Sequence, residues 1–545
     1  YEGGIGDNGV DLVPGLETKP KQRVVVIGSG PIRIGQGIEF DYGCVHAVGA
    51  IREMGHEAII INNNPETVST DFDTSDRLYF DPLNLESVSE ILLREKAHGI
   101  LLQFGGQTAI NLALPLSDSL PHLEKLGLSM IIEGTTPEAV DEASDRKRFE
   151  DFAERCQLKM PRGMTATDPE GVRKAVSSIG YPVLIRPSYV LGGRGMEILS
   201  NDRQLETYMS EAYLSPDRPL LIDEYLGNAV ELDVDAVCDG EEVLIGAIME
   251  HLEEAGIHSG DSTCFIPPQN ISESVLSQVE EWTTIIGLEL GIRGCYNIQF
   301  AIRDEELFVL EVNPRGSRTF PFVAKATGVP LARIAARVAL GEKLSSLDIP
   351  EPQTEAVSVK APVFPFIKLR GLDPAPGPEM KSTGEVMGSH VRPAAAYLKA
   401  RMATELPVPT SGGVYITVKD KDKKSTIVLA KRLQDMGFKI YATPGTASVL
   451  RENGSVNVDT CYRIEDRKSP DALDLMRRGM IQLVINTPTA TGGAVLDGNM
   501  MRRLAVELNI PFVTTMAGAK MEVEAIAEMQ LGTPEPRLLE ISTLE

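Results

Sequence analysis

Short apolar runs that end in glycine or asparagine are the feature that most constrains the fold of this 545-residue chain. Three such runs, 21–28, 58–62 and 99–104, are separated by stretches of helical character such as 44–54. Continuous apolar runs of this length are typical of strands buried on both faces. Their alternation with helices predicts a parallel, doubly wound α/β sheet, which we expect over residues 21–143.

The rest of the chain divides into segments of different character, in keeping with the three or four domains that its length predicts at about 150 residues each. Residues 144–345 mix helical and alternating segments with predicted hairpin turns near 239–240 and 303–306, which indicates an α+β domain. The segment 346–407 is rich in proline and is expected to pack as a connection. A second doubly wound domain is predicted over residues 408–545, from strands at 413–418, 439–442, 483–486 and 511–514.

Charge and cysteine content narrow the functional classes. The net charge of −25 repels nucleic-acid phosphates and anionic lipid. No apolar run approaches the ~18 residues of a membrane span, and no signal peptide is visible. The six cysteines form no CxxC pair, which indicates free thiols in a reducing compartment. We therefore expect a cytoplasmic protein without nucleic-acid or membrane partners, and we expect residues 1–20 to be a linker that further sequence precedes.

The loop after the first strand resembles a dinucleotide-binding fingerprint but departs from it at two places. Arg33 occupies the position of the third glycine in GxGxxG, counted from Gly28. The second strand ends in Asn62-Asn63-Asn64, where that fingerprint has an acidic residue for the ribose. A nicotinamide or flavin site is therefore disfavoured, and a tight strand–helix turn is the simpler interpretation.

A basic residue followed by a glycine loop marks a candidate nucleotide site in the second domain. Arg186 ends a predicted strand and leads into a loop that contains Gly192 and Gly193. Small residues let backbone N–H groups approach phosphates, and the arginine would bind them. A second basic residue, Arg146, begins a predicted helix that Ser144 would cap. Taken alone, the glycine loop is better explained as an ordinary mobile turn.

The alternating segments on either side of Glu305 carry the candidate metal site. With a hairpin turn centred on Glu305, Gln299 lies opposite Glu311, and Asn297 lies opposite Asn313. Side chains that are directly opposite or two apart share a face, so amide and carboxylate oxygens would converge. Oxygen ligands suit Mg²⁺ that is shared with substrate phosphates. The alternative, a solvated polar face, is disfavoured by the apolar residues between them.

Two arginines follow the hairpin. Arg315 and Arg318 are three residues apart, and planar guanidinium groups bind planar oxyanions through two hydrogen bonds. Beside the predicted metal ligands of an acidic protein, they are candidate anchors for a small carboxylate or phosphate. As isolated residues they would be interpreted as ordinary surface pairs.

Five longer motifs give the chain a specific family resemblance. They are GQGIEFDY at 35–42, NPETVSTD at 64–71, RPSYVLGG at 186–193, HSGDS at 258–262 and EVNPR at 311–315. The chain resembles the ATP-grasp fold and, over residues 20–525, the C-terminal half of the large subunit of carbamoyl phosphate synthetases. The resemblance implies a Rossmann-like pre-ATP-grasp domain, an ATP-grasp domain and a methylglyoxal-synthase-like regulatory domain.

The family resemblance also implies roles for individual residues. The reaction would be phosphorylation of carbamate by ATP, with Arg315 and Arg318 as the catalytic residues that face the carbamate. The residues expected to bind ATP are Arg146, Arg186, Gly192, Gly193, the adenine hinge Glu224-Tyr225-Leu226, Glu231, Ile257, His258 and Ser259. Mg²⁺ or Mn²⁺ would be bound by Gln299, Glu311 and Asn313, and K⁺ by Glu231, His251, Glu254 and Ser262. Taken alone, His251 and His258 are better explained by structural roles.

The partners implied by the resemblance lie outside this chain. Carbamoyl phosphate for pyrimidine and arginine biosynthesis would be made together with an N-terminal synthetase half and a glutamine amidotransferase subunit. Neither of these is represented in the sequence, and the family's oligomerisation domain is also absent from it.

A glycine turn marks a candidate effector site in the last domain. The turn follows a strand and enters a helix at 443–448, which suits a phosphate, although an ordinary turn is the simpler interpretation by itself. Arg463 stands where the family usually has lysine and Pro488 where it usually has threonine, so the identity of the effector stays open. The segment with the catalytic acid of methylglyoxal synthase is missing, which predicts binding without catalysis. By resemblance, a nucleotide monophosphate would be bound by Lys423, Thr443, Thr446, Arg463 and Asn486.

Two other functions stay open on the sequence. One is another ATP-grasp enzyme, a carboxylate–amine ligase or a carboxylase, which the five motifs and the absence of a biotin-carrier segment disfavour. The other is a nucleotide-sensing regulatory module with a degenerate ATP site. The complete set of Gln299, Glu311 and Asn313 disfavours it.

Overall fold

The structure, a computed structural model, describes residues 21–187, 192–211, 219–353, 355–366, 368, 373–487 and 493–536. Within these residues, two parallel and two antiparallel β-sheets form. Residues 1–20, residues 188–191 of the predicted glycine loop, and Pro488 lie outside the described residues.

The first sheet is parallel, as the apolar runs predict, and has the strand order β3-β2-β1-β4-β5. The sequence analysis identified β1, β2 and β4 but missed β3 and β5, because these three-residue edge strands are partly exposed and carry no long apolar run. The predicted helix at Cys44 begins earlier, at Glu39, with acidic side chains in its first turn. The elements are β1 (Arg23–Ile27), α1 (Glu39–Glu53), β2 (Glu57–Ile61), β3 (Arg77–Tyr79), α2 (Leu85–Glu95), β4 (Gly99–Leu101), α3 (Gly106–Ile110), α4 (Ala113–Lys125), β5 (Ile131–Glu133) and α5 (Pro137–Ser144).

A small antiparallel sheet with the order β6-β9-β7-β8 follows. Asp145, and not Ser144, caps its first helix, since the Asp145 carboxylate accepts the Arg148 N–H at 2.9 Å. Ser144 is the last residue of α5, and its hydroxyl donates to the carbonyl of Val140, so the predicted cap was wrong by one residue. The elements are α6 (Arg146–Arg155), β6 (Gly163–Ala166), α7 (Pro169–Ile179), β7 (Val183–Pro187), β8 (Glu197–Leu199), α8 (Asp202–Glu211) and β9 (Leu220–Glu224).

The largest sheet is antiparallel and has seven strands in the order β14-β13-β10-β11-β12-β15-β16. Its last two strands come from the segment 346–407, so this proline-rich connection extends the sheet. The elements are β10 (Val230–Cys238), β11 (Val243–Glu254), β12 (Cys264–Ile266), α9 (Glu273–Glu289), β13 (Gly294–Arg303), β14 (Glu306–Asn313), α10 (Phe320–Thr327), α11 (Leu331–Ala339), β15 (Val357–Val363), β16 (Gly384–His390) and α12 (Pro393–Ala403).

The hairpin of β13 and β14 has the register that the alternation predicts at its far end. Gln299 pairs with Glu311 and Asn297 pairs with Asn313. The turn itself contains two residues, Asp304 and Glu305, and is shorter than predicted. Both residues adopt positive φ, as a two-residue turn of this kind requires. A bulge beside Gln299 absorbs the difference of one residue.

The last sheet is parallel and has the order β19-β18-β17-β20-β21. Its predicted strands are confirmed within one or two residues, and the short edge strand β19 was missed. The elements are β17 (Gly413–Thr417), α13 (Lys423–Asp435), β18 (Lys439–Ala442), α14 (Pro444–Gly454), β19 (Val458–Thr460), α15 (Ala472–Arg477), β20 (Leu483–Asn486), α16 (Gly493–Glu507), β21 (Phe512–Val513) and α17 (Met516–Leu531). Among the described residues, no helix has the length and apolar character to cross a membrane.

Helix α17 joins the last domain to the seven-stranded sheet. Its residues Met521, Ala525 and Met529 pack with apolar side chains of β12, β15 and α12. Within this contact, Glu522 is fully buried and accepts hydrogen bonds from Tyr397 (2.9 Å) and Arg401 (3.1 Å) of α12. A buried carboxylate with two donors is therefore part of the interface.

We expect Glu522→Ala to destabilise this interface strongly, because it leaves the Arg401 guanidinium buried without its partner. Breaking a buried ion pair costs about 3–5 kcal/mol. A matched control lies on the same helix: Glu524 pairs with Arg432 at the surface, where a pair contributes about 0–1 kcal/mol. Urea unfolding with limited proteolysis between residues 403 and 413 measures the difference. Equal effects of Glu522→Ala and Glu524→Ala would contradict the expectation.

Candidate active site

One face of the seven-stranded sheet carries a row of polar side chains. Cross-strand pairs join β10 to β13 and β13 to β14, and the residues between them, such as Ile298 and Val312, are buried in the apolar core on the other face. Because directly opposite side chains share a face, the pairs form one continuous polar surface. They are Asp233 with Gln299, Asp235 with Asn297, Gln299 with Glu311, and Asn297 with Asn313.

The predicted metal ligands lie together on this surface. Asn313 donates to Glu311 Oε1 at 2.9 Å, and Gln299 donates to the Ser259 hydroxyl at 3.0 Å, which leaves its amide oxygen available. Among the described residues, no group of three histidines, cysteines or acids could hold a metal. One carboxylate with two amide oxygens fits a hard divalent ion that takes its remaining ligands from substrate phosphates and water.

Two predicted phosphate-binding arginines flank one carboxylate. Arg146 lies 2.9 Å and Arg186 lies 3.4 Å from the oxygens of Asp223, and Arg186 also lies 3.8 Å from Glu311. The arginines come from α6 and β7, and Asp223 comes from the neighbouring strand β9. The sequence analysis missed Asp223, which follows the apolar run 220–222 without any local pattern that marks it. The Asp223 carboxylate therefore holds the two cations together, and Arg186 lies beside the predicted metal ligand Glu311.

The glycine pair predicted to cover the phosphates lies against a loop from the connection. The N–H of Met380 donates to the carbonyl of Gly192 at 2.9 Å. Gly192 and Gly193 both have positive φ, and a Cβ on Gly193 would collide with the carbonyl of Pro378. Only glycine therefore allows this close approach. The loop 373–382, which the sequence analysis did not connect with the site, thus forms one wall of it.

The predicted adenine hinge begins with Glu224, the last residue of β9. The Glu224 carboxylate pairs with Arg162 and Arg303, and the Tyr225 hydroxyl donates to the carbonyl of Ala255 at 2.8 Å. Leu226 is buried. The backbone N–H groups of Glu224 and Tyr225 donate to the carbonyls of Arg162 and Pro182, so recognition of a purine edge would fall to the other backbone N–H and C=O groups of this segment.

The loop after β11 brings Ile257, His258 and Ser259 to the same wall. The His258 N–H donates to the carbonyl of Gly377, and its Nδ1 accepts the N–H of Gly260 at 3.0 Å. Burial lowers the pKa of His258, so the ring is neutral and can accept this bond. A structural role, as the residue taken alone suggests, therefore accounts for the His258 ring.

The residues expected to bind K⁺ make strong contacts of their own. The buried His251 ring lies 2.9 Å from Asp233 and 3.6 Å from Glu231. Burial opposes its charged form, yet Cys264 and the two carboxylates raise the pKa of His251 well above its usual value. A protonated ring has no lone pair for a cation. The side chains of the remaining two residues also have partners: Glu254 lies 3.7 Å from Lys419, and Ser262 donates to the carbonyl of His258 at 3.4 Å.

The two arginines after the hairpin lie close to the metal ligands but point to different partners. Arg315 donates to Asn313 Oδ1 at 3.1 Å and to Gln107 at 3.2 Å. Arg318 forms an ion pair with the buried Glu39 at 2.6 Å and contacts Met380. Burial lowers the pKa of Arg315, although it stays a cation at any physiological pH. The first domain thus supplies partners for both guanidinium groups.

Four of the five predicted effector residues lie at the carboxyl end of the last parallel sheet. Thr443 and Thr446 are 3.3 Å apart, and Lys423 Nζ would contact a Cβ at Gly445. Asn486 is bonded to Thr417 and to Arg502, a buried arginine that the sequence analysis missed. Arg463 is exposed and paired with Glu465, but together with Lys423 it lowers the pKa of Asp420, so its charge lies near the others.

Comparison with known proteins agrees with this geometry. Three family models match: the carbamoyl phosphate synthase preATP-grasp domain at 20–142, the ATP-binding domain of the carbamoyl-phosphate synthase L chain at 145–347, and the MGS-like domain at 425–514. The C-terminal section of the carbamoyl phosphate synthase large chain from Methanocaldococcus jannaschii is 49% identical over 534 residues, which cover 95% of this chain and 85% of the relative.

The chain belongs to the carbamoyl phosphate synthase large-chain family. The large chain from Methanothrix thermoacetophila is 50% identical over 519 residues, which are 95% of this chain and 48% of that relative. The chain therefore spans about half the length of several curated relatives that it matches.

Solved structures agree on the fold alone. An N5-carboxyaminoimidazole ribonucleotide synthetase, purK, in complex with ADP is 14% identical, with a TM-score of 0.54 over 71% of this chain and 97% of its own. The corresponding synthetase from Thermus thermophilus is 16% identical, with a TM-score of 0.51 over 70% of this chain and 97% of its own.

We expect Gly163→Ala to weaken nucleotide binding, because a Cβ at this position would collide with both the Arg146 guanidinium and the Asp223 carboxylate. A loss of about 10-fold in ATP affinity corresponds to about 1.4 kcal/mol. Gly384→Ala is the control, since nothing lies within 4 Å of its added Cβ. Calorimetric titration with ATP and Mg²⁺ measures both. Unchanged affinity in Gly163→Ala would remove Arg146 and Asp223 from the nucleotide site.

Proposed function

We propose that this chain transfers the γ-phosphoryl group of ATP to carbamate and forms carbamoyl phosphate. The observation that carries the proposal is the hairpin of β13 and β14, where Gln299, Glu311 and Asn313 converge between two pairs of arginines. Arg146 and Arg186 lie on the side of the adenine hinge, and Arg315 and Arg318 lie on the side of the first domain. This arrangement provides one anion-binding side for a triphosphate and another for a small planar anion.

The chain's residues contribute positions and charge to the transfer. Carbamate is already an anion, so its oxygen attacks the γ-phosphorus without a protein nucleophile, while the bond from that phosphorus to the ADP oxygen breaks. Arg315 and Arg318 orient the carbamate, and Arg186 stabilises charge on the transferred group. When bound, a divalent metal at Gln299, Glu311 and Asn313 neutralises phosphate charge. Catalysis is then chiefly positioning and electrostatics.

The loop 373–382 and the glycine pair would also exclude water from the site. Carbamate decomposes in water, so the site has to be closed during transfer. The loop 373–382 bonds to Gly192 on one side and to His258 on the other. Together with the glycine pair, this loop would shield the reacting groups from water.

We also propose Mg²⁺ or Mn²⁺ as the divalent ion and K⁺ as a monovalent ion. ATP and Mg²⁺ suit the oxygen ligands, and Mn²⁺ shares their preference for oxygen. A K⁺ site beside Glu231 would depend on backbone carbonyls of the loop 254–262, because the side chains of His251 and Glu254 already have charged partners. We further propose a cytoplasmic location and a role in pyrimidine and arginine biosynthesis, together with an N-terminal synthetase half and a glutamine amidotransferase.

The reverse reaction tests the proposal, because carbamoyl phosphate is more persistent than carbamate. We expect the chain to make ATP from ADP and carbamoyl phosphate, and we expect Glu311→Gln to reduce the rate by at least about 100-fold through loss of the carboxylate at the metal site. Glu306→Gln is the matched control, since Glu306 lies on the same strand but pairs with Lys159 at the surface. Luciferase detection measures the ATP formed. A folded, ADP-binding preparation that makes no ATP would refute the proposed function.

We also propose that residues ~408–545 bind a nucleotide monophosphate at the amino end of α14. The geometry in support is the group of Lys423, Thr443 and Thr446 around Gly445, where backbone N–H groups at a helix start favour an anion. The Asn486 amide is shared with Arg502, so this arginine is a further member of the proposed site.

Calorimetry with UMP and IMP tests the effector site. We expect one of them to bind wild type and Thr446→Ala to weaken binding by about 10-fold, because the buried hydroxyl is lost from the phosphate site. Thr460→Ala, at the exposed end of β19, is the control. By linkage, ATP should change effector affinity by the same factor that the effector changes ATP affinity. Equal heats from wild type and Thr446→Ala would place the site elsewhere.

A further inference from the structure

A single buried carboxylate, Asp235, supports the loop that carries both substrate-facing arginines. Asp235 lies near the middle of β10 and is fully buried. Its Oδ2 accepts hydrogen bonds from the hydroxyls of Ser317 (2.9 Å) and Thr319 (2.7 Å), and its Oδ1 accepts one from the Asn297 amide (3.0 Å). The two hydroxyls belong to residues that flank Arg318, so the carboxylate fixes the backbone on both sides of this arginine.

The contact with Thr319 replaces one that is usual for its position. Thr319 is the N-cap residue of α10, where a threonine side chain ordinarily accepts a backbone N–H of the first turn. Its hydroxyl makes no such bond and donates to Asp235 instead. Such a cap ordinarily stabilises the start of a helix. The hydrogen bond from Thr319 to Asp235 offsets the missing cap. The Thr319 hydroxyl therefore stabilises the loop instead of the start of the helix.

The carboxyl group is ionised in the state that makes these bonds. Burial raises the pKa of Asp235 to about 6, although Thr319, Ser317 and Asn297 oppose the shift. At neutral pH the group is therefore an acceptor only, which matches its three donors. An asparagine of the same shape would direct an amide N–H at a donor.

The loop is held from the opposite side by the first domain. The Gly316 N–H donates to the carbonyl of Gln103 at 2.8 Å, and the Gln103 amide donates to the carbonyl of Pro314 at 3.3 Å. Residues 314–319 thus lie between Gln103 and Asp235. Because the loop is held on both sides, the guanidinium groups of Arg315 and Arg318 are the parts of it that can contact a ligand.

We propose that Asp235 is the positioning residue for carbamate recognition, which it serves by holding Ser317 and Thr319 so that Arg315 and Arg318 converge on the substrate anion. This inference rests on the proposed function. The hydrogen-bond partners of Asp235 are Asn297, Ser317 and Thr319, none of which is a predicted nucleotide or metal ligand, so we expect its effect to be selective for the small anion. Displacement of an arginine by about 1 Å is enough to weaken a bidentate contact and to slow the transfer.

The experiment compares isosteric variants of Thr319 in the full chain. Thr319→Val keeps the shape and removes the hydroxyl, and Thr319→Ser keeps the hydroxyl. In ATP synthesis from ADP and carbamoyl phosphate, we expect Thr319→Val with Ser317→Ala to raise the KM for carbamoyl phosphate at least about 10-fold, the factor that loss of hydrogen bonds to a charged group gives. The KM for ADP should change less than about twofold, and Thr319→Ser should stay near wild type.

Two controls separate positioning from general stability. Ser358→Ala removes a different buried hydroxyl bond of the same sheet, 2.6 Å to Ser389, and should leave both KM values unchanged. Asp235→Asn should reproduce the double variant. Equal increases in the KM for ADP and for carbamoyl phosphate, or an increase in Ser358→Ala as large as in the double variant, would overturn the proposal.

Hydrogen exchange tests the positioning by Asp235 without relying on activity. If wild type makes no ATP, the proposed function fails, and carbamate recognition fails with it. The rate of hydrogen exchange at residues 314–319 still reports whether Asp235 holds the loop. Faster exchange in Thr319→Val than in Thr319→Ser supports the positioning by Asp235, and equal exchange refutes it.

Discussion

Pairing of buried charges is the constraint on which the rest of this structure depends. An unpaired ion in a protein interior costs several kcal/mol, yet this chain buries ionised groups, and it holds them as pairs. Within the second domain the pairs are Arg146 and Arg186 with Asp223, and His251 with Asp233. Between segments they are Arg318 with Glu39, Arg401 with Glu522, and Arg502 with Asp373. Each pair forms only when two elements meet, so the same contacts that neutralise charge also fix how these elements pack.

This constraint explains how a protein of net charge −25 could present the anion site that we propose. The overall field repels phosphate and carbamate, and attraction has to come from arginines close to the ligand. In the structure these arginines are oriented by carboxylates behind them, as Asp223 orients Arg146 and Arg186. A guanidinium group has five N–H donors. One carboxylate uses two of them at most, and the remainder can meet a substrate.

Prediction from sequence succeeded where the relevant contacts are local. The pairing of Gln299 with Glu311 followed from the alternation of side chains in a hairpin, and the parallel sheets followed from apolar runs between helices. Prediction missed the short edge strands because their side chains are half exposed and form no long apolar run. Asp223, Asp235 and Arg502 were missed because each acquires its partners across a long sequence separation, and no local spacing marks them. The roles of the predicted site residues came from family motifs, and geometry alone assigns them only positions.

The loop 373–382 shows how pairing can relate distant parts of the molecule. Asp373 accepts Arg502 Nε at 2.8 Å, and Arg502 in turn bonds to Asn486 at the end of β20. Farther along the loop, Lys381 and Ser382 donate their N–H groups to Asp261, and the Met380 N–H donates to the carbonyl of Gly192. A contiguous set of polar contacts therefore runs from the last sheet to the glycine pair. Contacts alone do not transmit a signal. A ligand beside Asn486 shifts the glycine pair only if it binds two arrangements of the Arg502–Asp373 pair with different affinities, and the buried position of Arg502 means that it cannot leave Asp373 without gaining another anion. A nucleotide phosphate is such an anion, whereas a neutral ligand is not, so the buried Arg502–Asp373 pair favours a charged ligand in the proposed effector site.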